Sequence, residues 1–218
     1  MAIIQTTFSA STQAGNASEV LAWLQSNASE YFDSITADAS GNITCMIGNT
    51  PAIKLGFDGT TKTSFTLKNG RSMTHYYART TEFFKSAIKT SKGIHLIPNN
   101  EQYHSINELF ICKSNSGTTA FLSKFANNEN SYGNTYHAAD FENSPSIMNF
   151  VYNDGNSDLP FFKSVPASCT SLAHVVFNGG FFAPDLFIVP FSQFANTRCI
   201  YNIGNKKYSS NGFIALAD

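Results

Sequence analysis

The stretch AIKLGFDGTTKTSFTLKNGRSMTHYYA, residues 52–78, decides the fold class. It holds two dipeptides, Asp58-Gly59 and Asn69-Gly70, of the kind that reverses a chain within a tight hairpin, because both positions tolerate positive φ. The residues on either side read as short strands, so one stretch already contains a run of antiparallel hairpins.

The same punctuation continues in both directions. Upstream, SITADASGNITCMIG (34–48) reads as strand, Ser40-Gly41-Asn42 turn and strand. Downstream, FFKSAIKTSKGIHLIP turns at Lys92-Gly93, and ELFICKSNSGTTAFLSKF turns at Asn115-Ser116-Gly117. Strands are expected again in LAHVVFNGGFFAP and DLFIVPF. RCIYNIGNKKYSSNGFIALAD reads as a meander turning at Gly204-Asn205 and Asn211-Gly212. Many short strands at this spacing predict a mainly β protein, an antiparallel β-sandwich or barrel-like fold, rather than βαβ units.

One helix interrupts the pattern. NASEVLAWLQSNASEYFD repeats its apolar residues Val20, Leu21, Trp23, Leu24, Ala28, Tyr31 and Phe32 at helical spacing. Asn16 with Glu19 three residues on resembles a capping box, which sets an N-terminal amphipathic helix over about 17–33. Its apolar face is expected to cover a sheet of the same chain, the alternative being a contact between copies. Residues 1–218 read as a single β-rich domain with a sub-boundary near 126, where the chain turns polar and Asn-rich up to Asp158. That region suits surface loops, or short strands with long connections.

Composition narrows the function. Charged residues are 13% of the chain, about half the usual ~25%, and the net charge is -1. Such a balance gives no electrostatic footprint for nucleic acid or an anionic membrane. The charge is replaced by Asn, Ser, Thr and Gly, a surface suited to packing against copies, since interface cores are depleted in charge. The 20 Phe and 9 Tyr supply core and interface area. No basic-then-apolar leader opens MAIIQTTFSASTQAG, and no apolar run approaches a membrane span, so synthesis in the cytoplasm without a signal peptide or membrane insertion is expected. Cys45, Cys112, Cys169 and Cys199 are too widely spaced for a zinc site or a disulfide framework and read as buried thiols.

No reacting constellation emerges. His75, His95, His104, His137 and His174 form no ligand pair at helical spacing, and His95 and His174, inside apolar strands, read as satisfied core or face histidines. His137, Asp140 and Glu142 cluster in HAADFE, where a polar loop accounts for them better than a metal. Asp154, Asn156 and Asp158 open like an EF-hand, but Leu159 and Val165 occupy the places of its Gly and bidentate Glu. There is no nucleophile elbow, P-loop or dinucleotide fingerprint. The expectation is a non-enzyme without cofactor, catalytic residue or metal. The surface-binding loop would present Tyr132, Asn134, Tyr136, Tyr152 and Asn156, whose rings and amides suit a sugar.

The segments FFKSAIKTSKGIHLI, ELFICKSNSGTTAF, DLFIVPFSQFANTR and above all KKYSSNGFIALAD resemble a loosely defined family of phage and prophage structural proteins from Gram-positive gut bacteria. The family closes on a similar ending, here Tyr208, Ser210, Asn211, Gly212, Ala215, Leu216 and Asp218. The resemblance implies a bacteriophage virion component of the tail, baseplate or an appendage. Its partners would be its own copies in a homo-oligomer and other virion proteins, with host attachment through a cell-surface glycan as an added role. The alternative is a stand-alone glycan-binding β-sandwich module.

Overall fold

The computed structural model describes residues 3–77, 84–98, 108–125, 134–142, 146–150, 173–176, 182–188, 199–203, 205–210 and 214–218. In chain order they begin with β1 (Ile4–Thr7), α1 (Gln13–Asn27), β2 (Ser34–Ala37), β3 (Ile43–Ile47), β4 (Thr50–Leu55), β5 (Lys62–Thr66) and β6 (Ser72–Tyr77). β7 (Phe84–Lys89), β8 (Gly93–Pro98), β9 (Leu109–Lys113), β10 (Thr119–Phe125), β11 (Asn134–Asp140) and β12 (Ser146–Phe150) follow. The last strands are β13 (Ala173–Val176), β14 (Phe182–Ile188), β15 (Cys199–Ile203), β16 (Lys206–Ser210) and β17 (Ile214–Ala217).

These strands form three antiparallel sheets. The central one has seven strands in the order β1-β7-β8-β9-β10-β11-β12. A second runs β2-β3-β4-β5-β6 and a third β13-β14-β17-β16-β15. The protein is mainly β and layered, and the sheets do not close into a barrel. The turns sit where the glycines demand them: Gly59 and Gly70 have φ of 75° and 80°, which a side chain would resist. The Asn-rich stretch contains two strands, and β10 pairs with β11, so the central sheet runs across residue 126.

The middle strands β8 and β9 of the central sheet are buried on both faces, and their side chains alternate between two cores as the pleat requires. Leu109, Ile111, Phe121 and Ala139 join the core shared with α1 and the β2–β6 sheet. Phe110, Cys112, Ala120, Leu122 and Ala138 face the other way, against Val175, Leu186, Ile214 and Leu216 of the third sheet. Gly93 allows that approach. A Cβ there would collide with the Ile111 carbonyl oxygen and lie 2.9 Å from Leu216 Cδ1.

The helix differs from expectation at both ends. It spans Gln13–Asn27 with Thr12 as N-cap, whose hydroxyl accepts from Gly15 N at 3.2 Å. Asn16 lies inside the helix, buried, and its amide makes two bonds to the backbone of Phe84, at 2.9 and 3.0 Å. Glu19 reaches back instead to the backbone N–H groups of Ser9 and Ala10. Tyr31 and Phe32 fall in the turn after the helix, yet still reach the core. Val20, Trp23 and Leu24 pack on the chain's own sheets, so the contact is intramolecular.

Candidate functional site

Among the described residues, one cluster has the residue types of a hydrolytic triad. His95 of β8 sits in a strand whose six residues are all buried. Its ring stacks on Phe110 of the neighbouring β9, with centroids 4.0 Å apart and planes 16° apart. Nδ1 meets Ser209 Oγ of β16 at 2.8 Å, and Nε2 meets Glu108 Oε1 at 3.0 Å. His95, Glu108 and Ser209 are each 0% exposed.

The arrangement departs from a catalytic one in two ways. In a working triad the serine bonds Nε2 and the acid bonds Nδ1, and the serine oxygen opens onto a substrate site. Here the two nitrogens are exchanged, and the serine oxygen is sealed between two sheets. Chemically the cluster fastens layers: His95 belongs to the central sheet, Glu108 directly precedes its strand β9, and Ser209 belongs to the third sheet. A hydroxyl can donate or accept, so Ser209 satisfies Nδ1 in either tautomer. Leaving any of the three without its partner would strand a polar group in the interior.

Two more polar contacts hold the same pair of layers. At the β9–β10 turn, Asn115 N donates to the Phe182 carbonyl at 2.8 Å and Asn115 Oδ1 accepts from Phe182 N at 3.0 Å. At the β7–β8 turn, Ser91 N donates to Asp218 Oδ1 at 2.9 Å, while Asp218 N donates to the Lys207 carbonyl at 2.9 Å. Buried Asp140 completes the first turn, accepting from Thr118 Oγ1 at 2.6 Å and Ser116 Oγ at 3.2 Å.

The other expected residues distribute as follows. His95 is the satisfied core histidine that its apolar strand implied, with both ring nitrogens engaged. Its partners were missed: Glu108 lies 13 residues away and Ser209 lies 114 away. The one local hint was an acid placed directly before the apolar run LFIC. Asn134 and Tyr136 lie on β11, opposite Phe150 and Met148 of β12. Tyr132, Tyr152 and Asn156 lie outside the described residues, as do His104, Asp154 and Asp158. Asp140 and Glu142 are engaged with hydroxyls and with Lys68 Nζ respectively. Among the described residues no group of three His, Cys, Asp or Glu side chains could hold a metal ion. Cys45 and Cys112 are buried free thiols, both pushed up to about 12, chiefly by burial, so neither is a nucleophile near neutral pH. Cys169 lies outside the described residues, and Cys199 is the first residue of β15. Among the described residues no helix is long and apolar enough to cross a membrane.

Compared with family models, curated proteins and solved structures, the chain matches none.

Proposed function

We propose that this chain is a non-enzymatic structural protein of a bacteriophage particle, a tail, baseplate or appendage component that works by assembling with copies of itself and with other virion proteins. The observation that carries this reading is what the ending KKYSSNGFIALAD does. Tyr208 packs edge-on against Phe187 with ring centroids 6.0 Å apart. Ser210 Oγ donates to the Ile214 carbonyl at 2.7 Å, closing the last hairpin. Leu216 fills the core between the sheets, and Asp218 accepts from the Ser91 N–H of the central sheet. In the motif that resembles virion proteins, Tyr208 and Ser210 thus brace the third sheet while Leu216 and Asp218 hold it to the central one. Beside them, the residues that could have made a triad are buried in the same joint.

Low charge supports the same reading, because copies of a chain with net charge -1 repel one another weakly. The test is mass spectrometry of density-purified particles from a lysate of the strain that encodes the chain. The chain is expected in the particle fraction in a fixed ratio to the other virion proteins. Its confinement to the soluble fraction would refute the proposal.

A further inference from the structure

Strand β1 forms one edge of the central sheet and among the described residues pairs only with β7. The N–H of Phe8 donates to the Lys85 carbonyl on β7 at 2.9 Å. Backbone groups alternate along a strand, so those of Gln5 and Thr7 point the other way, off the edge of the sheet. Natural edges are blunted by charge, proline or a bulge. Ile4-Gln5-Thr6-Thr7 has no charge and no proline, and its pairing with β7 is unbroken. Ile4 is 42% exposed, the one large exposed hydrophobic side chain among the described residues.

Beside this edge runs a groove of about 530 Å³, lined by Ile3, Gln5, Ile200, Lys206, Lys207 and Asp218. It lies between β1 and the β15–β16 hairpin, and β15 is itself the edge of the third sheet. Among the described residues the patch therefore combines two open sheet edges, the apolar side chains of Ile3 and Ile200, and charges of both signs. A two-fold interface brings one patch against itself, so a charged patch complements itself only when it carries both signs. An acidic or basic peptide partner would call for one sign only.

We infer that β1 is a self-association edge, which pairs antiparallel with β1 of a second copy and continues the central sheet through both. The outward groups fix the register. Gln5 exchanges its two bonds with the partner copy's Thr7 about an axis at Thr6, and Ile4 comes opposite the half-buried Phe8 of the other copy. This inference rests on the assembly reading and names its contact.

Gln5→Pro is the discriminating variant: it removes an outward N–H and leaves the bonds to β7 in place. Light scattering behind a sizing column, over a range of concentrations, should give the full chain at twice 23.8 kDa or an even multiple. Gln5→Pro should halve that mass while far-ultraviolet dichroism stays unchanged. Trp23 fluorescence should also hold, since Trp23 Nε1 donates to Thr6 Oγ1 at 3.1 Å directly behind the edge. Ile4→Lys, at an exposed position, should halve the mass too, which covers the case of a proline variant that does not fold. A wild-type chain that is monomeric at every concentration overturns the inference. So does an oligomer whose mass neither variant changes, although the assembly reading then survives. Absence from purified particles would refute the assembly reading alone and leave the mass shift standing.

Discussion

The two faces of the seven-stranded sheet are built by different means. Toward the helix and the β2–β6 sheet the joint is apolar and rich in rings: Phe121 stacks with Phe32 and Phe65 at centroid distances of 6.2 and 5.8 Å. Toward the third sheet the described apolar cluster is crossed by the Glu108–His95–Ser209 seam and flanked by the Asn115 and Asp218 contacts. Apolar burial is strong but non-directional. A buried hydrogen-bonded seam adds little net stability, yet penalises any other register, because a slip strands its polar groups. The first face is thus held by ring packing, and the second also fixes where the C-terminal sheet must dock.

The largest effect should come from the apolar face. Phe121→Ala is expected to cost about 4 kcal/mol, since its ring is fully buried between two others and the cavity cannot collapse around a flat stack. Urea unfolding measures it, and a cost under half of that would contradict the tight ring packing of this face.

The seam should respond differently according to how it is altered. His95→Ala leaves Glu108 buried without its imidazole and should cost about 3 kcal/mol, as when one member of a buried pair is removed. Replacing all three together, His95→Phe with Glu108→Leu and Ser209→Ala, should recover most of that loss, because none of the three polar side chains is then left in the joint. Equal losses in the single and triple variants would show that packing, not polarity, sets the cost.

Gly93→Ala should destabilise by about 2 kcal/mol through overpacking, because the new methyl meets the Ile111 backbone and Leu216 at once. Hydrogen exchange should then rise in β16 and β17 more than in β3 and β4. A uniform rise would contradict the separate character of the two joints.

The smallest effect lies in a surface turn. Asp58 accepts from the Thr61 hydroxyl and backbone, from Asn42 and from Thr60, which together hold its carboxyl well below the usual carboxylate range. The folded value is depressed, so the stabilisation is present above the unfolded value of about 4 and is lost as pH falls through the folded one. Asp58→Asn should therefore be slightly less stable at pH 7, with the difference from wild type shrinking below about pH 4. A difference that grows in acid would reverse the assignment.

The faces also differ in how legible they were. The hairpins could be read from Asp58-Gly59 and Asn69-Gly70, because turn chemistry is local. The C-terminal strands pair as the expected meander, β15 with β16 and β16 with β17, while Gly204, Asn211 and Gly212 of its expected turns lie outside the described residues. The helix start was misplaced because Asn16 and Glu19 imitate a capping box, whereas Asn16 serves Phe84, 68 residues away, and a sequence does not display that distance. Strand β1 carried no turn signal and was missed. In β8 and β9 both faces are buried, so the apolar run reveals a strand but not which residues enter which core. The seam was half legible: His95 announced a buried histidine, but nothing local joined it to Ser209.

The most direct test of the claim that this seam is structural is labelling of the native chain with a serine-directed fluorophosphonate, read by intact mass and peptide mapping. No adduct is expected at Ser209, because its oxygen is sealed between sheets and faces Nδ1 of His95. A single adduct at Ser209 that disappears in His95→Ala would contradict it, and would make the joint a reaction centre.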